Sequence, residues 1–123
     1  MNTAIWIVQI LLALAFLMAG LMKLTQPYER AAQRMAWVND FSPTSIRVIG
    51  AVEVLGAIGV ILPAWTGILP WLTPLAATGL GIVMLGAMAT HLRRHEQPQM
   101  ISNVVLLALA AFVVYGRFVA VPL

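Results

Sequence analysis

Residues 47–63 read RVIGAVEVLGAIGVILP, and this stretch decides the fold. Between Val48 and Leu62 its only polar side chain is the carboxylate of Glu53. A helix that crosses a bilayer needs about 20 mostly apolar residues, because it rises about 1.5 Å per residue through about 30 Å of hydrocarbon. Extended by its flanking residues, the stretch reaches that length. We therefore predict a membrane-spanning helix over residues 44–63.

Three more apolar blocks of similar length lie at residues 4–22, 68–89 and 100–119. Pro70 and Pro74 would fall in the first two turns of the third block, where a proline breaks few backbone hydrogen bonds. Of the 123 residues, 62% are hydrophobic and 9% are charged, which is more apolar surface than a soluble domain of this size can bury. The sequence predicts an all-α integral membrane protein, a four-transmembrane-helix bundle that forms a single domain over residues 1–123.

The connections between the blocks differ in character. The uncharged residues 64–67 predict a tight hairpin between the second and third spans. Between the first and second spans, Tyr28, Ala31, Ala32 and Met35 recur at helical spacing, with charged residues on the opposite face. This pattern predicts a short amphipathic helix in the membrane interface, with Tyr28 and Trp37 at headgroup level.

Composition excludes several classes of function. The chain has no cysteine, so disulfides, thiolate metal sites and cysteine nucleophiles are absent. The net charge is +3, but the basic residues lie mostly between apolar blocks. That distribution suits membrane topology and anionic headgroups, so we expect membrane lipids as partners and no nucleic acid.

Glu53 is the most informative polar residue, because an ionisable group inside a span is costly and normally faces the bundle. It serves either as a structural pin, paired with Lys23, Arg47 or His91, or as a site that handles a ligand or a proton. Asn103 can join this group from the fourth span. His91 and His95 are one helical turn apart, but no third ligand is placed by the spacing, so we expect no metal site. We expect Glu96 at a solvated helix end.

Glycines and methionines in the apolar blocks indicate where the helices pack and where a pocket could lie. Five glycines are predicted to be helix-packing positions, because small residues let membrane helices approach closely: Gly20, Gly50, Gly56, Gly79 and Gly86. Four methionines are expected to line a pocket below the polar group or to pack in the core: Met18, Met22, Met84 and Met88. Such a pocket would suit an amphipathic ligand, either a quinone or a lipid headgroup.

The chain resembles the DoxX-like membrane family (the DoxX/DoxD group). The resemblance lies in residues 16–24 (FLMAGLMKL), 47–56 (RVIGAVEVLG), 61–63 (ILP), 75–79 (LAATG) and 86–91 (GAMATH), and in Glu96. It implies a four-span bundle. The wider group includes the small membrane subunit of thiosulfate:quinone oxidoreductase and proteins linked to redox defence, which look like quinone-side or scaffolding partners. The matching positions able to act are Lys23, Arg47, Glu53, His91 and Glu96.

Three functions remain open from the sequence. The chain is a membrane subunit that binds a quinone or lipid-like ligand near Glu53 and supports a redox partner protein, or a non-enzymatic scaffold, or a small proton-coupled carrier that acts as a homo-oligomer. We expect no stand-alone enzyme and no cofactor within the chain, apart from a bound quinone or lipid.

The distribution of basic residues predicts the orientation in a bacterial inner (plasma) membrane. Six of the seven lie in or beside the connections after the first and third spans, and only Arg117 lies on the other side. The excess of basic residues on cytoplasmic loops then places these two connections in the cytoplasm and both termini outside. A reporter enzyme that works only outside the cytoplasm should be active when fused after Leu123. Activity there of a reporter that works only in the cytoplasm would reverse the orientation.

Overall fold

The computed structural model describes all 123 residues and contains helices but no strands. The helices are α1 (Asn2–Thr25), α2 (Tyr28–Arg34), α3 (Pro43–Thr66), α4 (Leu72–Arg93) and α5 (Gln97–Tyr115). A 3-10 turn at Ala36–Asp40 follows α2, and a π-helical turn at Gly116–Ala120 extends α5. The helices α1, α3, α4 and extended α5 are each long and apolar enough to cross a membrane. The predicted four-helix membrane bundle is confirmed.

The turn between α3 and α4 lies later in the chain than predicted. Helix α3 continues to Thr66, and Gly67 ends it in the left-handed conformation with φ 74°. Residues 67–71 then form the turn, in which Leu69 is also left-handed. Pro70 therefore precedes α4, and only Pro74 lies in its first turn. The third span begins at Leu72 because the turn needs these residues to reverse the chain.

The short helix between the first two spans is present, but it ends at Arg34 and a 3-10 turn follows. Its apolar side packs within the protein, where Ala31 and Val38 are buried with Ile46 of α3. The Tyr28 hydroxyl donates to the carbonyl oxygens of Val38 and Phe41, at 3.2 and 2.6 Å. The apolar pattern that predicted an interfacial surface therefore also serves to fold this segment onto the end of the bundle.

The four long helices form two pairs, α1 with α3 and α4 with α5. The first pair is closest where Gly20 faces Gly50, since a Cβ atom on either glycine would lie within 2.8 Å of the other's carbonyl oxygen. Between the pairs, a Cβ atom on Gly56 would lie 2.5 Å from Leu80 Cδ2. These three glycines occupy close helix contacts, where a larger residue would force the backbones apart.

Gly79 and Gly86 do not pack as expected. A Cβ atom on either would meet nothing within 4 Å, because α4 presents Ala77, Leu80 and Met84 to the core and these glycines lie on other faces. Neither glycine mediates a contact between helices of this chain.

The two pairs meet tightly at one end only. At the end that carries both termini, here called the terminal end, Ile5 of α1 packs against Gly116. The main apolar core continues from there through Leu12, Phe16 and Leu80. At the opposite end, called the charged end, lie the connections 26–42 and 94–96. Here a cavity separates the pairs.

Candidate functional site

The cavity at the charged end has a volume of about 560 Å³ and receives side chains from all four long helices and from the connection after α1. Four of the six predicted ligand- or proton-handling residues line it: Lys23, Glu53, His91 and Asn103. Apolar side chains form most of the remaining wall, including Phe16, Met35, Trp37, Ile49, Val83, Met84 and Leu106. The site therefore has an apolar body with a small group of polar side chains.

Lys23 and Glu53 form an ion pair inside the bundle. Lys23 Nζ lies 2.8 Å from Glu53 Oε1, and the two side chains are 12% and 3% exposed. The prediction that Glu53 points inward and pairs with a basic residue is confirmed. Because α1 and α3 are antiparallel, Lys23 and Glu53 lie on either side of the Gly20–Gly50 contact, and their side chains meet beside it.

Arg47 has a different position from the one expected. Its Nη1 donates to the carbonyl oxygen of Lys23 in the last turn of α1, and it does not line the cavity. A cation there satisfies a carbonyl oxygen that the ending helix leaves without a partner. Arg47 therefore joins the end of α1 to the start of α3.

His91 pairs with Glu96 rather than with Glu53. Its Nδ1 lies 2.8 Å from Glu96 Oε1, and the side chains are 8% and 18% exposed. His95 adopts a left-handed conformation with φ 57°, and the Glu96 amide donates to the His91 carbonyl oxygen at 2.9 Å. This turn folds Glu96 back onto the end of α4, so the expected solvated position of Glu96 is wrong.

Asn103 supplies a polar atom without a protein partner. The residue is 8% exposed, it lines the cavity from α5, and its Nδ2 makes no hydrogen bond. An amide donor that is buried without a partner costs free energy, so such a group is normally satisfied by water or a ligand.

The methionines that line the site are mostly not those predicted. Met84 is in the wall, whereas Met18 and Met22 are on the outer surface, 66% and 38% exposed, and Met88 does not reach the cavity. Met35, Trp37 and Phe41 of the connection after α1 line it instead. The Trp37 ring lies 6.0 Å from the His91 ring, edge to face, and 5.7 Å from Lys23 Nζ.

The connection is also joined to the other helix pair through charges. Arg94 Nη1 donates to Asp40 Oδ1 at 2.9 Å, and Arg94 Nε lies 3.5 Å from Glu96 Oε1. The hydrogen bond to Asp40 raises the pKa of Arg94, so this guanidinium remains charged at any physiological pH. Residues 35–41 thus cover the cavity from the charged end.

A second polar network, at the terminal end, was not predicted. Arg117 is 2% exposed and donates from Nε to Gln9 Oε1 at 2.7 Å and from Nη1 to Asn2 Oδ1 at 2.8 Å. Gln9 Nε2 in turn donates to the Val60 carbonyl oxygen at 2.8 Å. The isolated glutamine in the first apolar block was the available sign of this network, which joins α1, α3 and extended α5.

The comparisons with known proteins identify the family. A model of the DoxX-like family matches residues 7–113, which is most of the chain. The chain therefore belongs to the DoxX-like family, and its four apolar helices are those of an integral membrane protein. No curated protein and no solved structure matches the chain.

Removal of one member of the Lys23–Glu53 pair should destabilise the bundle. Glu53→Gln or Lys23→Met leaves one charge buried without its partner, a change that costs about 3–5 kcal/mol. The double variant should recover much of that loss, since no unpaired charge remains. Thermal unfolding in detergent measures both effects, and Glu29→Gln, at an exposed site without an ion pair, is the matched control. Additive losses in the double variant would show that the two residues do not act as a pair.

Proposed function

We propose that the protein binds a lipid-soluble molecule of the quinone or lipid-headgroup class in the charged-end cavity and holds it for a redox partner protein. The observation that carries the proposal is the unpartnered amide of Asn103 in the wall of a cavity of about 560 Å³. A buried donor without a partner, beside enclosed space, is what a ligand with an oxygen acceptor would complete.

The dimensions and chemistry of the cavity support this class of ligand. Small-molecule sites have volumes of about 300–1,000 Å³, with apolar walls and a few polar groups that orient the ligand. Here the polar groups include those of Lys23, Glu53, His91 and Asn103, and the aromatic ring of Trp37 also lines the cavity. A flat ring with carbonyl oxygens can accept hydrogen bonds at this group while its apolar parts contact the wall.

The cavity is also too small to hold a long isoprenoid or acyl tail together with its head. Because the outer faces of the helices are apolar and face lipid, the tail of such a ligand would continue into the membrane. The ligand is therefore expected to exchange with the bilayer rather than with water.

The two other functions open from the sequence receive less support. A scaffold protein needs neither an internal cavity nor a buried amide without a hydrogen-bond partner. A carrier that uses Glu53 would have to break the 2.8 Å contact with Lys23 in each cycle. The part of the proposal that names a redox partner protein rests on the resemblance of the chain to a group that includes quinone-side subunits.

Filling the cavity should abolish binding. In Gly86→Leu the new side chain starts in open space beside the cavity wall, so the helix can accept it while the side chain takes up ligand volume. Saturable quenching of Trp37 fluorescence by a decyl-substituted benzoquinone, with protein in nanodiscs and the other three tryptophans replaced by phenylalanine, measures binding. Gly86→Leu should weaken binding at least tenfold.

Gly79→Leu is the matched control, because Gly79 lies on the same helix, also has no neighbour within 4 Å, and does not line the cavity. It should bind as the parent protein does. Equal binding by both leucine variants, or no saturable quenching in the parent, would contradict the proposed function.

A further inference from the structure

The His91–Glu96 contact sets the hydrogen-bonding character of the histidine. The carboxylate of Glu96 only accepts hydrogen bonds when ionised, so His91 Nδ1, 2.8 Å away, carries the proton that lies between them. In the neutral imidazole the other nitrogen, Nε2, is then an acceptor. It becomes a donor only when the ring takes up a second proton.

The contact between His91 and Glu96 depends on an uncommon backbone conformation at His95. His95 is one of only two non-glycine residues in the chain with a positive φ. A positive φ is uncommon outside glycine, although histidine adopts it more often than most residues. Here the left-handed turn returns Glu96 to the end of α4 and so allows Glu96 to pair with His91.

Nε2 makes no hydrogen bond to the protein, and the ring lines the cavity close to Trp37. We infer that His91 determines which ligand head the cavity accepts, binding a carbonyl head when protonated and a hydroxyl head when neutral. This inference rests on the proposed function, because it assigns a specificity-determining residue within the same cavity.

The proton balance follows from the hydrogen-bond roles. When a carbonyl head binds, the neutral ring takes one proton from water and donates Nε2–H to the carbonyl oxygen, while Glu96 stabilises the imidazolium. When a hydroxyl head binds, the ring has to be neutral, so a protonated ring releases one proton to water and the hydroxyl then donates its hydrogen bond to Nε2. Carbonyl binding therefore strengthens as pH falls, and hydroxyl binding weakens.

The other charged groups around His91 have to be considered in this balance. They are Glu96 and Arg94 at the end of α4, Arg93 in the cavity wall, Lys23 of α1 and Glu53 of α3, with Asp40 bound to Arg94. Helix α5 contributes the neutral side chains of Gln99, Ser102 and Asn103 to the wall. A pH response is therefore assigned to His91 only if replacing His91 removes it.

The test compares a decyl-substituted benzoquinone with its hydroquinone, kept reduced without oxygen, on protein in nanodiscs between pH 5.5 and 8. Affinity for the quinone should fall by up to about tenfold per pH unit as pH rises, and affinity for the hydroquinone should change in the opposite direction. Calorimetry in two buffers of different ionisation enthalpy should show proton uptake with the quinone and, at the acidic end of the range, proton release with the hydroquinone. His91→Asn should remove both slopes.

His95→Asn is the matched control, because it also replaces a histidine by asparagine, a residue that tolerates the left-handed conformation, at an exposed position. It should keep both slopes. If His91→Asn does not fold or does not bind, Glu96→Gln decides, since a neutral amide stabilises the imidazolium less and should move the pH response downward.

Quinone binding that is independent of pH in the parent protein, or a slope unchanged in both His91→Asn and Glu96→Gln, would overturn the inference and leave the proposed function intact. Absence of binding of either probe at every pH would instead overturn the proposed function.

Discussion

The structure depends on how a carboxylate is accommodated inside an apolar helix. Glu53 cannot face lipid without a large cost, and it is accommodated because Lys23 reaches it from α1 at 2.8 Å. The Gly20–Gly50 contact holds the two backbones close together beside this pair. The ion pair and the glycine contact therefore form one unit, which fixes the relative position of α1 and α3 and leaves one wall of the cavity charged.

The two ends of the bundle use polar groups in opposite ways. At the terminal end, Arg117 is held by the neutral side chains of Gln9 and Asn2, and the helix pairs are packed together. At the charged end, polar side chains leave atoms unpaired toward a cavity, as Asn103 does. The first arrangement joins the helices, and the second leaves capacity for a ligand. The covering segment with Trp37 would then enclose a bound ligand from the side of the connections.

The sequence predicted the parts of this structure that follow from the bilayer. Apolar block lengths gave four helices, and the cost of a charge in lipid gave the inward orientation of Glu53. The sequence could also have excluded Arg47 as the partner of Glu53. Arg47 is six residues away and, at about 100° per residue, points to a different helix face. Lys23 could be chosen only with the Gly20–Gly50 contact known.

Other features depend on tertiary structure that periodicity does not encode. An apolar stripe around Tyr28 and Ala31 looks the same whether it faces lipid or protein, so the role of Trp37 above the cavity was missed. The return of Glu96 to His91 requires a left-handed conformation at His95, which the helical pattern of the sequence does not indicate. Likewise, Gly79 and Gly86 belong to the same small-residue pattern as Gly20, although only the latter faces a neighbouring helix.

The central claim is that the charged-end cavity holds a lipid-soluble molecule in the membrane. Native mass spectrometry of the protein released gently from its own membranes measures this most directly. The account predicts one additional mass of a quinone or a defined lipid per chain, retained by the parent protein and by Gly79→Leu and lost from Gly86→Leu. A parent protein that carries no defined small molecule, or one that Gly86→Leu retains equally, would contradict it.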